Sequence, residues 1–147
     1  MSEHPPADSS DFDFWIGEWE VSWPHDGRGR NVISRVLDDR VILESFDGNP
    51  GLPFRGMSVS TISSETGRWH QTWVDSDGGY LDFQGGMVEG RMILQRTARI
   101  DGRAVEQRMV FDQIARDSLE WRWERSTDGG VTWELVWPIS YRRVDPR

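Results

Sequence analysis

The chain contains neither cysteine nor lysine. The first absence removes disulfides, thiolate metal sites, iron–sulfur clusters and cysteine nucleophiles together. The second leaves all 17 basic residues as arginine. It excludes Schiff-base chemistry, including the lysine aldimine of pyridoxal enzymes. Positive charge is also short in total: 25 acidic residues against 17 basic ones give a net charge of -8. That balance argues against nucleic acid or an anionic membrane as partner. No apolar run approaches the ~20 residues of a membrane helix. "MSEHPPADSSD" lacks the basic-then-apolar order of a secretory signal. Residues 1–10 read as a disordered lead, and residues 11–147 as a single domain in a soluble, cytoplasmic protein. Histidine is scarce as well: His4, His25 and His70 show no ligand spacing, so no metal and no cofactor are expected. No serine sits in a G-x-S-x-G elbow and no glycine loop matches a phosphate cradle.

What the chain has in excess is tryptophan, nine residues in 147. Each indole combines a large apolar area with one N–H that needs a partner. With few aliphatic residues beside them, they suit a thin shell around a cavity better than a solid helical bundle. Turn signals recur throughout: "HDGRG" at 25, "LDDR" at 37, "FDGNPGLP" at 46, "DSDGG" at 75, "IDG" at 100 and "STDGG" at 126. Between them lie runs of roughly six to eleven residues rich in Val, Ile, Trp and Thr. About ten strands are expected, starting near residues 17, 29, 40, 56, 69, 79, 91, 104, 118 and 131.

Period-two alternation is clearest in the second half. Met92, Leu94, Arg96, Ala98 and Ile100 share a face. So do Val105, Gln107, Met109 and Phe111, then Leu119, Trp121, Trp123 and Arg125. The last run places Trp133, Leu135, Trp137, Ile139 and Tyr141 together. Such runs joined by short turns make antiparallel hairpins with one buried face. Ten strands left open would expose two edges, and closure removes both. The expected fold is all-β: an antiparallel up-and-down barrel, with a two-layer sandwich as the alternative.

Two motifs dissolve into turns. "STDGGVTW" fits S-x-D-x-G-x-T-W and resembles the Asp-box of sialidase-type propellers, but one copy in so short a chain marks a hairpin. "DSDGG" has a calcium-loop look, yet the twelfth position, where an EF-hand needs a bidentate carboxylate, is Gly86. The informative polar residues are those that alternation sets on an apolar face: Gln71, Arg96, Gln107 and Arg125. An inward arginine is costly unless paired, and it offers a bidentate fork to a carboxylate or phenolate.

A first strand with Gly17-Glu18-Trp19 resembles the G-x-W signature of the lipocalin and calycin superfamily. Further pieces, "FDFWIGEWEV", "VILESFDG", "TGRWHQTWVDSDGGYLDFQGG" and "EWRWERSTDGGVTWELVW", look like an uncharacterised branch of bacterial lipocalin-like proteins. The resemblance implies a calycin barrel in which Trp19 closes one end under a basic residue of the last strand, Arg142 or Arg143. Nitrobindin-like haem proteins of the superfamily carry a late haem-ligating histidine; none follows His70 here, and His70 itself is expected to point outward.

Two functions follow as expectations. One is binding of a small hydrophobic or aromatic molecule, acidic ones included, by a monomer or homodimer. Trp19, Trp23, Trp73, Trp121, Trp123 and Trp137 would line that pocket, with Gln71, Arg96 and Gln107 fixing its polarity. The alternative is a cofactor-independent isomerase, cyclase or decarboxylase using Glu44 or Asp82 in the same cavity. A barrel filled solidly with indole would instead suit a partner-binding module, and a pocket of about 300 Å³ or more separates the cases. Trp15, ahead of the first strand, is expected to plug one end.

Overall fold

A computed structural model describes residues 6–145. After a 3-10 turn at Asp13–Trp15 come ten strands: β1 (Gly17–Trp23), β2 (Gly27–Val36), β3 (Val41–Asp47), β4 (Arg55–Ile62), β5 (Trp69–Asp75), β6 (Tyr80–Val88), β7 (Arg91–Ile100), β8 (Arg103–Asp112), β9 (Ser118–Ser126) and β10 (Glu134–Arg143). Each pairs antiparallel with the next in the chain, and β1 pairs with β10, so the sheet closes into a barrel. The sandwich alternative is thereby excluded. Nine strands begin within two residues of the positions expected from sequence; β10 begins at Glu134 rather than near 131.

Local chemistry explains the connections. Glu89-Gly90 and Asp101-Gly102 are two-residue turns with positive φ at both positions. That geometry matches the right-handed twist of the flanking strands and is available to glycine at little cost. In the β9–β10 loop Asp128 accepts hydrogen bonds from the Thr132 backbone N–H (2.9 Å) and the Ser126 hydroxyl (2.7 Å), so this motif is a hairpin clasp.

One expectation about β10 is corrected. Trp137 pairs with Trp123 and Leu135 with Glu124, with Val136 bulged between them. The bulge breaks the alternation. Trp137, Ile139 and Tyr141 face inward, whereas Leu135 is exposed. Trp133 stacks on the Arg108 guanidinium at 4.0 Å. Arg108 bonds Glu124, which also bonds Arg122, an ion-pair row on the outer wall.

One end of the barrel is sealed by the segment before β1. Phe12, Phe14 and Trp15 meet Phe111 at ring distances of 5.1–5.7 Å, and Phe12 meets Trp69 edge-on at 4.9 Å. Trp19 donates its indole N–H to the Trp15 carbonyl at 2.8 Å. The Arg143 guanidinium lies 4.2 Å from the Trp19 ring and donates to the carbonyls of Ile16 and Phe14. Of the two arginines in "YRR", Arg143 is therefore the one that clamps the floor. Residues 1–5 of the expected lead lie outside the described residues. Of the remainder, Ala7 packs against the core, and the Ser9 carbonyl accepts a hydrogen bond from Arg35.

Candidate functional site

Inside the barrel the two walls differ. β8, β9 and β10 turn Met109, Phe111, Trp121, Trp123, Trp137 and Ile139 inward, an almost wholly apolar surface. Opposite, β2 to β5 turn Asn31, Glu44, Ser58, Ser60 and Gln71 inward, all of them buried. Alternation alone would turn the apolar residues of β4 to the core. Instead Ser58 and Ser60 are buried while Met57 and Val59 are about half exposed. The registers Ser58↔Glu44 and Ser60↔Gln71 make this arrangement obligatory once Glu44 and Gln71 face inward.

Between the walls lies a cavity of about 220 Å³. It runs from Trp15 and Phe111 at the floor to Phe46, Phe54 and Trp73 at the mouth. This falls short of the roughly 300 Å³ expected to separate a ligand-binding barrel from a filled one, so the expectation of a pocket of that size is corrected. Aromatic rings occupy the remainder, and glycines let them pack closely. A Cβ at Gly56 would stand 2.1 Å from the Trp73 ring, and one at Gly27 only 1.8 Å from Trp23. An apolar cavity of ~150 Å³ accepts benzene, so the space suits one substituted ring.

Glu44 is the centre of the polar wall and is 6% exposed. Ser58 donates its hydroxyl to Oε1 at 2.7 Å, and Asn31 donates Nδ2–H to Oε2 at 2.8 Å. Asn31 also donates to the Tyr141 hydroxyl oxygen at 2.8 Å. Burial pushes the Glu44 carboxyl above its ordinary pKa, and the bonds from Ser58 and Asn31 offset only part of that. Burial, and then the nearby Glu44 charge, also hold the Tyr141 phenol neutral far above its usual range. Gln71 donates Nε2–H to Ser60 at 3.0 Å. Among the described residues its Oε1 and Asn31 Oδ1 have no hydrogen-bond partner, and the Trp15 indole N–H makes only a long contact with the Tyr141 hydroxyl, although all three atoms are buried.

Of the residues singled out from sequence, Glu44, Gln71, Trp73, Trp121, Trp123 and Trp137 line the cavity. Others do not. Asp82 lies on the exposed outer face of β6, accepting a hydrogen bond from Thr72, so it is no acid–base group for the interior. Arg96 and Gln107 bond each other in a row that continues to Arg125 and its partner Glu134. That row is one step beyond Trp123 towards the mouth, outside the cavity lining. Arg96 donates Nη1–H to Gln107 there, while its Nε is buried without a partner among the described residues. Trp23 packs on Phe46 and Trp137 without reaching the cavity, and Trp19 belongs to the floor. His70 bonds Thr66, away from the interior face of Gln71. Asn31, Ser58, Ser60 and Tyr141 complete the polar wall; the apolar-outward pattern of β4 is the sequence signal for two of them.

Among the described residues, no three His, Asp or Glu side chains converge as metal ligands. No helix in that span is long and apolar enough to cross a membrane. Compared with known proteins, the chain matches no family model, and no curated protein is significantly similar to it.

Proposed function

We propose that the protein binds a small hydrophobic or aromatic molecule inside the barrel. One observation carries this reading: an apolar, tryptophan-walled cavity meets buried polar atoms that no group among the described residues satisfies. A buried donor or acceptor left unpaired costs about 1–3 kcal/mol, and a ligand that supplies the partner removes that penalty. Kinship with the lipocalin superfamily belongs to the same proposal, supported by Gly17 and Trp19 beneath Arg143 at the closed end. So does a soluble, cytoplasmic monomer or homodimer without nucleic-acid or membrane partners, supported by the acidic charge.

Native mass spectrometry of protein isolated from its own cells tests the reading, together with quenching of tryptophan emission by single-ring compounds. An adduct the size of one substituted ring is expected, with quenching because four indoles besides Trp15 border the space. Protein without any adduct, whose emission is indifferent to such compounds, would overturn the proposal.

Glu44 favours a second reading, an enzyme of isomerase, cyclase or decarboxylase type without a cofactor. A carboxyl on the cavity wall whose pKa is raised by burial is suited to general acid–base work on a bound molecule. Incubating the extracted molecule with wild type and with Glu44→Gln separates the readings. Conversion by wild type alone supports the enzyme; an unchanged molecule in both supports simple binding.

A further inference from the structure

The polar wall also constrains the charge of the occupant. Among the described residues no arginine or histidine borders the cavity, where the ionisable groups are Glu44 and Tyr141. A carboxylate ligand would therefore enter beside an acidic side chain with no counter-ion, a placement that costs several kcal/mol per buried ion. Arg96, the cation with which sequence alternation would anchor an acid, donates Nη1–H to Gln107 and keeps an unpartnered Nε, but it lies in the row beyond Trp123 and does not line the cavity. Of the three unpartnered atoms of Gln71, Asn31 and Trp15, two belong to residues that border the cavity, one acceptor and one donor. Among the described residues Gln71 Oε1 has no hydrogen-bond partner and the Trp15 N–H makes only a long contact with the Tyr141 hydroxyl; the two residues are 2% and 1% exposed and border the cavity.

Glu44 does not provide a ready counter-charge for an ammonium ligand either. Both its oxygens are already engaged, by Ser58 and Asn31, and desolvation favours its neutral form. What remains unmatched is one acceptor and one donor in a space the size of a substituted ring. We propose that the cavity selects an uncharged single-ring compound bearing a hydroxyl or a similar donor–acceptor group, which gives a hydrogen bond to Gln71 Oε1 and takes one from the Trp15 indole. This rests on the binding function proposed above and names the class of ligand for it.

Four probes of similar size test it on the whole chain: p-cresol, benzoate, benzylamine and toluene, titrated by tryptophan fluorescence and calorimetry at neutral pH. p-Cresol is expected to bind at least about tenfold more tightly than benzoate, benzylamine and toluene, since one satisfied hydrogen bond is worth about that factor. Gln71→Leu is expected to bring p-cresol down to the level of toluene while leaving toluene itself bound. A purely structural role for Gln71 would weaken both probes together, and that result overturns the assignment of Gln71. Benzoate or benzylamine binding as tightly as p-cresol to the wild type overturns the proposal while leaving the cavity a binding site. If none of the four binds, the proposal and the binding function fall together. The wild-type series stands by itself should Gln71→Leu fail to fold.

Discussion

Gly17 is required twice over, by its backbone and by its missing side chain. Its φ is +136°, and a Cβ there would lie 2.2 Å from an Arg143 guanidinium nitrogen. Gly17→Ala should therefore strain the backbone and dislodge Arg143 from Trp19, lowering stability by about 2 kcal/mol or more in urea denaturation. Glu44 carries the pH dependence. Its pKa is raised in the folded state, so the native protein holds this proton at pH values where the unfolded chain has released it. Stability should fall as pH rises from the ordinary carboxylate range up to the folded pKa, then level off. Thermal melts from the ordinary carboxylate range upward should show that slope in wild type and a flatter profile in Glu44→Gln. An equal slope in both proteins would mean that Glu44 is ionised throughout. The sequence names Glu44 as a candidate acid–base group but says nothing of its partners. Asn31, Ser58 and Tyr141 come from β2, β4 and β10 and meet it only through registers that connect distant parts of the chain.

At the level of the strands, alternation succeeded wherever pairing is regular and failed where it is interrupted. β7, β8 and β9 present the inward faces that period two implies. β10 does so only after Val136, because the bulge absorbs one residue between Leu135 and Trp137. Deleting Val136 should regularise the strand with Trp137 still opposite Trp123, leaving stability within about 1 kcal/mol of wild type. Deleting Ser140 should reverse Trp137 and Ile139 relative to Tyr141, and losing two such buried side chains costs about 3–6 kcal/mol. Equal melting points for the two deletions would contradict the assigned register. β4 shows the converse case. Its serines face inward and its Met57 and Val59 outward, against hydrophobic patterning, because strands β3 and β5 on either side dictate its register.

The whole molecule adds closure. β1 and β10 lie more than a hundred residues apart in sequence, yet Val21 sits opposite Tyr141 and Trp19 opposite Arg143. With the ring complete, every strand has two neighbours and none is an edge. Proline lacks the N–H a ladder needs and is tolerated on edges. Glu20→Pro, Thr72→Pro and Glu106→Pro, from three separate strands, should therefore all be strongly destabilising by thermal melt; one tolerated substitution would reveal an open edge. The all-β class, the number of strands and the approximate start of nearly all of them follow from the sequence alone, because turn chemistry and side-chain alternation are local. Closure into a barrel was an inference from the cost of exposed edges, and the β1–β10 seam realises it. Which inward residues border the empty space was decided by tertiary structure. Inward direction is a property of one strand, whereas depth along the barrel depends on the stagger of all ten. That stagger sets Gln71 and Glu44 beside the cavity, leaves Arg96 and Gln107 beyond it, and limits the space to about 220 Å³.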